Sequence, residues 1–396
     1  MKKKVLIVFP GLNLKVDEGA KHRINSYIDA YDKAGYDVEV LGFLKTNWLT
    51  IGKKRLVNQK AKWKFRIYPL PISKHFLLSK LLIWWIQLNM AIQTNVGRYD
   101  IVQMEGRSFR SILCNKRSKY ITDFHGDSVH EYCEMNKVSH SNWFAKCLLY
   151  MQMHSVATSD MCIFVSENLK KQIEKNTGVK VKKYAVVSCG VDIDRYVWAQ
   201  PPKTMAEKLK DRIVIGYSGG LQRWQNIGII IDLAMRLFTA DNRIFLMIYT
   251  NHDISPYQSK LDALGASNYE VLALKSEEVP AYLKLLDAGL LIRDNLVLNI
   301  VSSPTKICEY LAAGLPLICT QFSGDYARSI VNGKTGYVLN NSTATVSELS
   351  ELLDYLQNVK ANKSIFSQKC IEKAAQRTFE AEFTILINKI ERTEVW

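Results

Sequence analysis

No stretch of eighteen residues in this chain is free of charge, so it lacks the apolar length that a membrane-crossing helix requires. Its eight cysteines, Cys114, Cys133, Cys147, Cys162, Cys189, Cys308, Cys319 and Cys370, form no Cys-x-x-Cys pair. That spread excludes a zinc ribbon or a disulfide framework and fits reduced, buried thiols in a cytosolic protein. HExxH, P-loop and nucleophile-elbow motifs are missing, so metalloprotease, P-loop and serine-hydrolase chemistry have nothing to stand on. Low-complexity tracts and short repeats are absent too. The most telling absence is of acid: Asp and Glu do not occur from residue 40 to residue 99.

What is present instead is positive charge. The chain holds 53 Lys and Arg against 38 Asp and Glu, a formal net charge of +15. The acid-free stretch carries Lys45, Lys53, Lys54, Arg55, Lys60, Lys62, Lys64, Arg66, Lys74, Lys80 and Arg98. It also contains an apolar, tryptophan-bearing segment at 76–88. A basic block beside such a helix suits an anionic membrane surface. The plainer reading is a solvated basic loop before a core helix. Nucleic acid is not expected as a partner, because no recognised binding motif accompanies the charge. Lys2-Lys3-Lys4 followed by Val5-Leu6-Ile7-Val8-Phe9 imitates a signal peptide, but the run is too short and no cleavage site follows. The expectation is a cytoplasmic protein held at the inner face of the cell membrane through its basic 45–98 region.

At 396 residues with 47% hydrophobic content, the chain is sized for two cores. Apolar runs at 4–9, 37–41, 64–69, 100–104, 120–124, 161–165 and 183–188 read as strands, and 24–34, 77–92, 143–157 and 167–176 as helices. Ala199-Gln200-Pro201-Pro202 reads as a linker. A second series follows, with strands at 212–217, 245–249, 269–272, 288–292 and 315–320 and helices at 227–238, 279–286 and 304–313. Such alternation predicts α/β architecture: two Rossmann-like, doubly wound parallel-sheet domains, 1–198 and 203–377, facing an interdomain cleft.

One segment carries chemistry most plainly. Ser303-Pro304-Thr305-Lys306-Ile307-Cys308-Glu309 opens a helix, and Gly314 and Pro316 close it. Ser303 reads as the N-cap. A capping box would put Glu or Gln at position 306; Lys306 stands there, so an ammonium joins the positive end of the helix dipole. That is an anion site sized for phosphate. Glu309, one turn deeper on the same face, can accept hydrogen bonds from a sugar diol. Phosphate first and diol next is a nucleotide-sugar signature.

The segment resembles the donor-site helix of the retaining family-four glycosyltransferases of GT-B fold, especially those that build bacterial surface polysaccharides. The resemblance spans nearly the whole chain. It implies that Glu309 holds the ribose and that Ser303, Pro304, Thr305 and Lys306 meet the diphosphate. Many family members carry a second Glu eight positions earlier, where this chain has Val301. The resemblance places the donor loop at Gly219 and Gly220, the diphosphate-neutralising cation at Arg223 or Arg293, and His125 against the transferred sugar. It puts the acceptor side at Gly19, Ala20, His22 and Asp127, and folds a last helix at about 378–396 back onto the first domain. It also implies no metal and no cofactor, so Asp192-Ile193-Asp194 is read as a structural hinge rather than a metal motif. The expected activity is metal-independent hexosyl transfer, with retention, from a nucleoside diphosphate sugar (UDP before GDP) to a glycan or lipid-linked acceptor. The alternative is a catalytically silent partner subunit of the same fold that binds glycan.

Overall fold

The computed structural model of the chain describes residues 2–10, 19–44, 59–67, 76–106, 110–330 and 333–392. The chain divides into two compact units, Met1–Ser188 with Glu382–Trp396, and Cys189–Ala381.

In the first unit β1 (Lys4–Pro10), α1 (Gly19–Lys33), β2 (Asp37–Leu44), β3 (Lys62–Ile67) and α2 (Phe76–Gly97) come first. They are followed by β4 (Ile101–Glu105), β5 (Lys119–Phe124), α3 (Ser128–Asn136) and α4 (Trp143–Thr158). The series closes with β6 (Met161–Phe164), α5 (Glu167–Thr177) and β7 (Tyr184–Val186). The seven strands form one parallel sheet, ordered β3-β2-β1-β4-β5-β6-β7. Strands such as β6 are buried along their whole length, which is why they read as unbroken apolar runs rather than alternating ones.

The second unit begins with two short helices, α6 (Asp194–Val197) and α7 (Lys203–Lys208). Then come β8 (Ile213–Ser218), α8 (Ile227–Ala240), β9 (Ile244–Tyr249), α9 (Gln258–Leu264), β10 (Tyr269–Leu272) and α10 (Val279–Leu283). After these follow β11 (Ala288–Leu291), α11 (Val297–Ile300), α12 (Thr305–Ala312), β12 (Leu317–Thr320) and β13 (Gly336–Leu339). Helices α13 (Val346–Ala361), α14 (Lys363–Ala375) and α15 (Phe379–Arg392) complete the chain. Its six-stranded parallel sheet is ordered β10-β9-β8-β11-β12-β13. Helices α6, α7, α9, α11, α13 and α14 and strand β13 are additions to the sequence reading. The start of α13 was legible: Thr345 accepts from the Glu348 amide at 3.2 Å while the Glu348 carboxylate accepts the Thr345 N–H at 2.9 Å. That is a capping box written as Thr-x-x-Glu.

The units part at Ser188/Cys189, ahead of the linker at 199–202. The reason lies in the backbone: the Val191 N–H donates to the Arg377 carbonyl at 3.1 Å, and the Phe379 N–H donates back to Val191 at 3.3 Å. Residues from 189 onward are therefore tied to the second unit. From Glu382 onward the last helix belongs to the first. The Glu382 carboxylate accepts the Ser188 amide at 2.8 Å, and Phe383 meets Tyr27 edge-on with ring centroids 4.5 Å apart. Phe383→Ala should destabilise the first unit by about 3–5 kcal/mol through lost burial and a cavity. Urea unfolding followed in that unit measures it; an unchanged midpoint would show that the helix adds no stability.

Candidate functional site

In the second sheet the strand order reverses between β8 and β11, and ligands of open parallel sheets sit beyond the strand ends at such a point. Gly219 follows β8 there and Arg293 follows β11. Gly219 is held at φ +139°, and a Cβ on it would lie 2.4 Å from Lys306 Cε, so the loop runs directly over the lysine. Beneath it, Lys306 Nζ donates to the Tyr217 hydroxyl at 2.7 Å and to Gln225 Oε1 at 3.0 Å, and stands 4.4 Å from the Tyr217 ring centroid. Tyr217 passes its own proton to the Gly220 carbonyl at 2.6 Å. Loop, tyrosine and lysine thus form one hydrogen-bonded chain.

Helix α12 is set against this loop by Tyr310. Its hydroxyl accepts the Ser218 amide at 2.9 Å, and its ring occupies the space a Cβ at Gly289 would fill. With that rotation fixed, Lys306 lies at the helix start and Glu309 on the next turn, part-buried. Pro304, at the N-cap position of α12, has no side-chain hydrogen bond to give its first turn. Its positive end is left to other partners.

Arg293 is only 5% exposed. One Nη1–H bonds Asn299 Oδ1 at 2.6 Å, while Nε has no partner among the described residues. Nor does any carboxylate among the described residues lie within ion-pairing distance of Arg293 or Lys306. Burial, with the Arg293 charge added, pulls the Lys306 ammonium down to about 7. Burial likewise lowers Arg293 to about 10. A buried Arg293 beside a part-buried Lys306, with no ion pair among the described residues and only Glu309 to offset the Lys306 charge, is costly in an empty protein. The same pair beside a helix start is a strong receptor for a dianion.

Several expected roles change. Ser303 does not cap the helix; Pro304 holds the N-cap position, and Ser303 Oγ accepts the Cys189 amide at 3.1 Å. The Gly219 amide is not open to a phosphate, because it donates to the Tyr249 carbonyl at 2.8 Å and so extends the sheet. Arg223 is exposed on a short 3-10 turn, and it is Gln225 of that turn that reaches Lys306. Asp192 and Asp194 are exposed where the chain enters α6.

In the first unit His125 follows β5, and its Nε2 lies 2.7 Å from Asp123 Oδ2. Asp123 is buried and clasped by Arg23 through two bonds of 2.8 and 2.9 Å, with the Tyr27 hydroxyl donating at 2.7 Å. Burial opposes its charge, but Arg23 and His125 outweigh that and hold the carboxyl below the usual range. The His125 ring is thereby oriented, with its side chain 26% exposed. Asp127 was expected on the acceptor side; it is wholly buried instead, capping α3 and accepting from His130, Gln152 and Asn176. Every lone pair is committed to the fold. Gly19, Ala20 and His22 open α1, but their side-chain surroundings and the loop 11–18 lie outside the described residues.

The comparisons with known proteins agree with this geometry. Residues 18–195 match the family model "Glycosyltransferase Family 4", and residues 212–355 match "Glycosyl transferases group 1". Each half of the chain thus resembles a glycosyltransferase family model. A curated relative, TuaH of Bacillus subtilis, a candidate teichuronic acid biosynthesis glycosyltransferase, is 24% identical over 184 residues. That match covers 46% of this chain and 45% of TuaH, under half the length of each. Among solved structures, HepE of Anabaena in complex with UDP aligns over 99% of this chain and 100% of its own, with TM-score 0.69 and 13% identity. Sucrose-phosphate synthase of Thermosynechococcus elongatus aligns over 99% of both chains, with TM-score 0.70 and 12% identity. The chain therefore has the GT-B fold.

Sequence reasoning missed Tyr217, Gln225, Asn299 and Tyr310, the residues that hold Lys306 and Arg293 in place. A signal for Tyr217 existed, since a tyrosine two residues before a glycine-pair loop can bridge its backbone. Tyr310 and Asn299 carry no such mark. Two outcomes are expected here. Gly219→Ala should lower Tm, since the methyl and Lys306 cannot share the space and the φ is strained. Lys306 titrates lower in the folded chain than in the unfolded one, so it destabilises below pH 7 and that penalty fades as pH rises to the unfolded value. The wild type should thus gain stability between about pH 7 and 10 relative to Lys306→Met. Parallel Tm profiles would refute this.

Proposed function

We propose that this glycosyltransferase moves a hexose-type residue from a nucleoside diphosphate sugar, UDP-linked before GDP-linked, to a glycan or lipid-linked acceptor in surface-polysaccharide synthesis. The observation that carries the reading is the buried Arg293 and the part-buried Lys306, neither ion-paired among the described residues, beside the start of α12. A nucleoside diphosphate supplies the missing negative charge, and Glu309 offers acceptors to the ribose diol. HepE, of the same fold, has been seen with UDP and with UDP-glucose.

As the bond from the anomeric carbon to the diphosphate breaks, negative charge grows on the leaving oxygen. Lys306, Arg293 and the first-turn amides of α12 would stabilise it without a metal. The acceptor hydroxyl attacks the same face, its oxygen joins the anomeric carbon, and its proton passes to the departing phosphate oxygen. Retention follows, and no separate base is required. His125, oriented by Asp123, would bond a hydroxyl of the transferred sugar. The acceptor would be met at the anionic inner surface of the cell membrane, drawn by the acid-free stretch 40–99. No described helix is long and apolar enough to cross a membrane.

Thermal shift with UDP, GDP, CDP and ADP tests the donor site. One nucleotide should raise Tm for the wild type and fail with Glu309→Ala. No response to any of the four would point to the silent-partner alternative. Because the free Lys306 sits near 7, binding should draw in protons at pH 8, seen as buffer-dependent heats in calorimetry and lost in Lys306→Ala. In turnover, Lys306→Ala should cost on the order of 100-fold; a near wild-type rate would sink its role.

A further inference from the structure

A large concavity away from the donor residues lies wholly in the first unit, between α2, the segment 111–113 and α4. It is a groove of about 830 Å³, within the range of about 300–1,000 Å³ typical of ligand pockets. Its lining is mostly apolar: Trp84, Ile112, Leu113, Trp143 and Met151 among others. Ile112 is 90% exposed and Trp84 60%, although both are large apolar side chains. Contiguous exposed apolar surface of this kind marks a binding surface rather than a free one.

Two further observations define the occupant. Gln87 also lines the groove, is 8% exposed, and neither its Oε1 nor its Nε2 has a partner among the described residues. A buried amide in that state costs stability unless a ligand bonds it, so a pure hydrocarbon is not enough. The surrounding charge has one sign. α2, the segment 110–119 and α4 hold Lys80, Arg110, Lys116, Arg117, Lys119 and Lys146, with no Asp or Glu. Lys146 itself lines the groove.

We propose that this groove takes an acyl chain of an anionic bilayer phospholipid, with the lipid's polar end met by Lys146 and the Gln87 amide. The lipid docks the first unit on the membrane; Trp84, Trp143 and Tyr150 form an aromatic belt at the headgroup level. A second copy of the chain fits poorly, because pairing this face with itself would bring in a second Lys146 and no acid from the groove's lining residues. The inference rests on the membrane side of the function proposed above and not on the donor site. It also places the anchor in a groove rather than in the basic loop alone; Lys45, Lys53, Lys54, Arg55 and Lys74 lie outside the described residues.

The test uses the full chain with sedimentable vesicles of phosphatidylcholine, alone or mixed with phosphatidylglycerol. Wild type should bind the mixed vesicles and not the neutral ones. Ile112→Asp and Lys146→Glu should each weaken binding by about tenfold or more. Brominated acyl chains should quench wild-type tryptophan fluorescence more than that of Trp84→Phe. Ile112 is exposed, so its variant should keep the wild-type Tm and the same response to UDP. Lost vesicle binding with the UDP response intact would support the groove separately from the donor site. Equal binding by Ile112→Asp and wild type would overturn the proposal, as would equal binding to neutral vesicles. A lipid-free dimer that Ile112→Asp dissociates would overturn it in favour of a second copy.

Discussion

Positive charge that no ion pair among the described residues cancels, beyond the ends of the neighbouring strands β8 and β11, is the constraint around which the second unit is arranged. Arg293 cannot leave, because its backbone amide is bonded to Thr320 Oγ1 at 3.0 Å and its guanidinium to Asn299. Lys306 cannot swing out, because the Gly219 loop covers it and Tyr217 and Gln225 hold its ammonium. The polar atoms that hold these cations are neutral. Tyrosine, glutamine and asparagine fix their positions without cancelling their charge, which keeps the field available for a ligand. A carboxylate in any of these places would have stabilised the empty protein and weakened its grip on a diphosphate.

The first unit shows the opposite solution. Asp123 is as deeply buried as Arg293, but Arg23, Tyr27 and His125 surround it with donors. Asp127 is satisfied even more fully, by two amides and three side chains. A buried charge with all its partners inside the fold is a structural device. One whose partner is missing asks for something from outside. This difference separates Asp127, a helix cap, from Lys306, a candidate ligand group, although both are charged residues next to the end of a strand or the start of a helix.

Much of this was legible in the sequence where physics acts locally. Fully buried parallel strands announced themselves as apolar runs, and Gly314 with Pro316 marked the end of α12. The Lys306–Glu309 spacing on one helical face follows from the helical period alone. What was not legible depends on tertiary placement. Ser303 has every local credential of an N-cap, yet the Cys189 amide, more than a hundred residues away in sequence, takes its hydroxyl. Gly219 looked like a phosphate-binding amide, but sheet geometry gives that amide to Tyr249. Tyr310 reads as one more apolar position on an amphipathic helix. Only the strand order reveals that its hydroxyl meets Ser218 and sets the angle of the helix. β13, α13 and α14 went unread because a capping box signals a start, not the packing that follows.

Val301 brings these strands of argument together. The family to which the motif bears resemblance often has a glutamate at this place, whereas here the position is buried and apolar, 3% exposed at the end of α11. A carboxylate four residues before Thr305 would have put negative charge beside the helix start. Without it, no acid at that position offsets Lys306 and Arg293; burial depresses both, the Arg293 charge lowers Lys306 further, and Glu309 offsets only part of that. Compared with the family pattern, this chain thus has one acidic group fewer near the helix start. By electrostatics alone it should favour the doubly charged leaving group over the neutral sugar, moving the weight of recognition from hexose to diphosphate. An enzyme arranged in this way would hold its product nucleotide firmly.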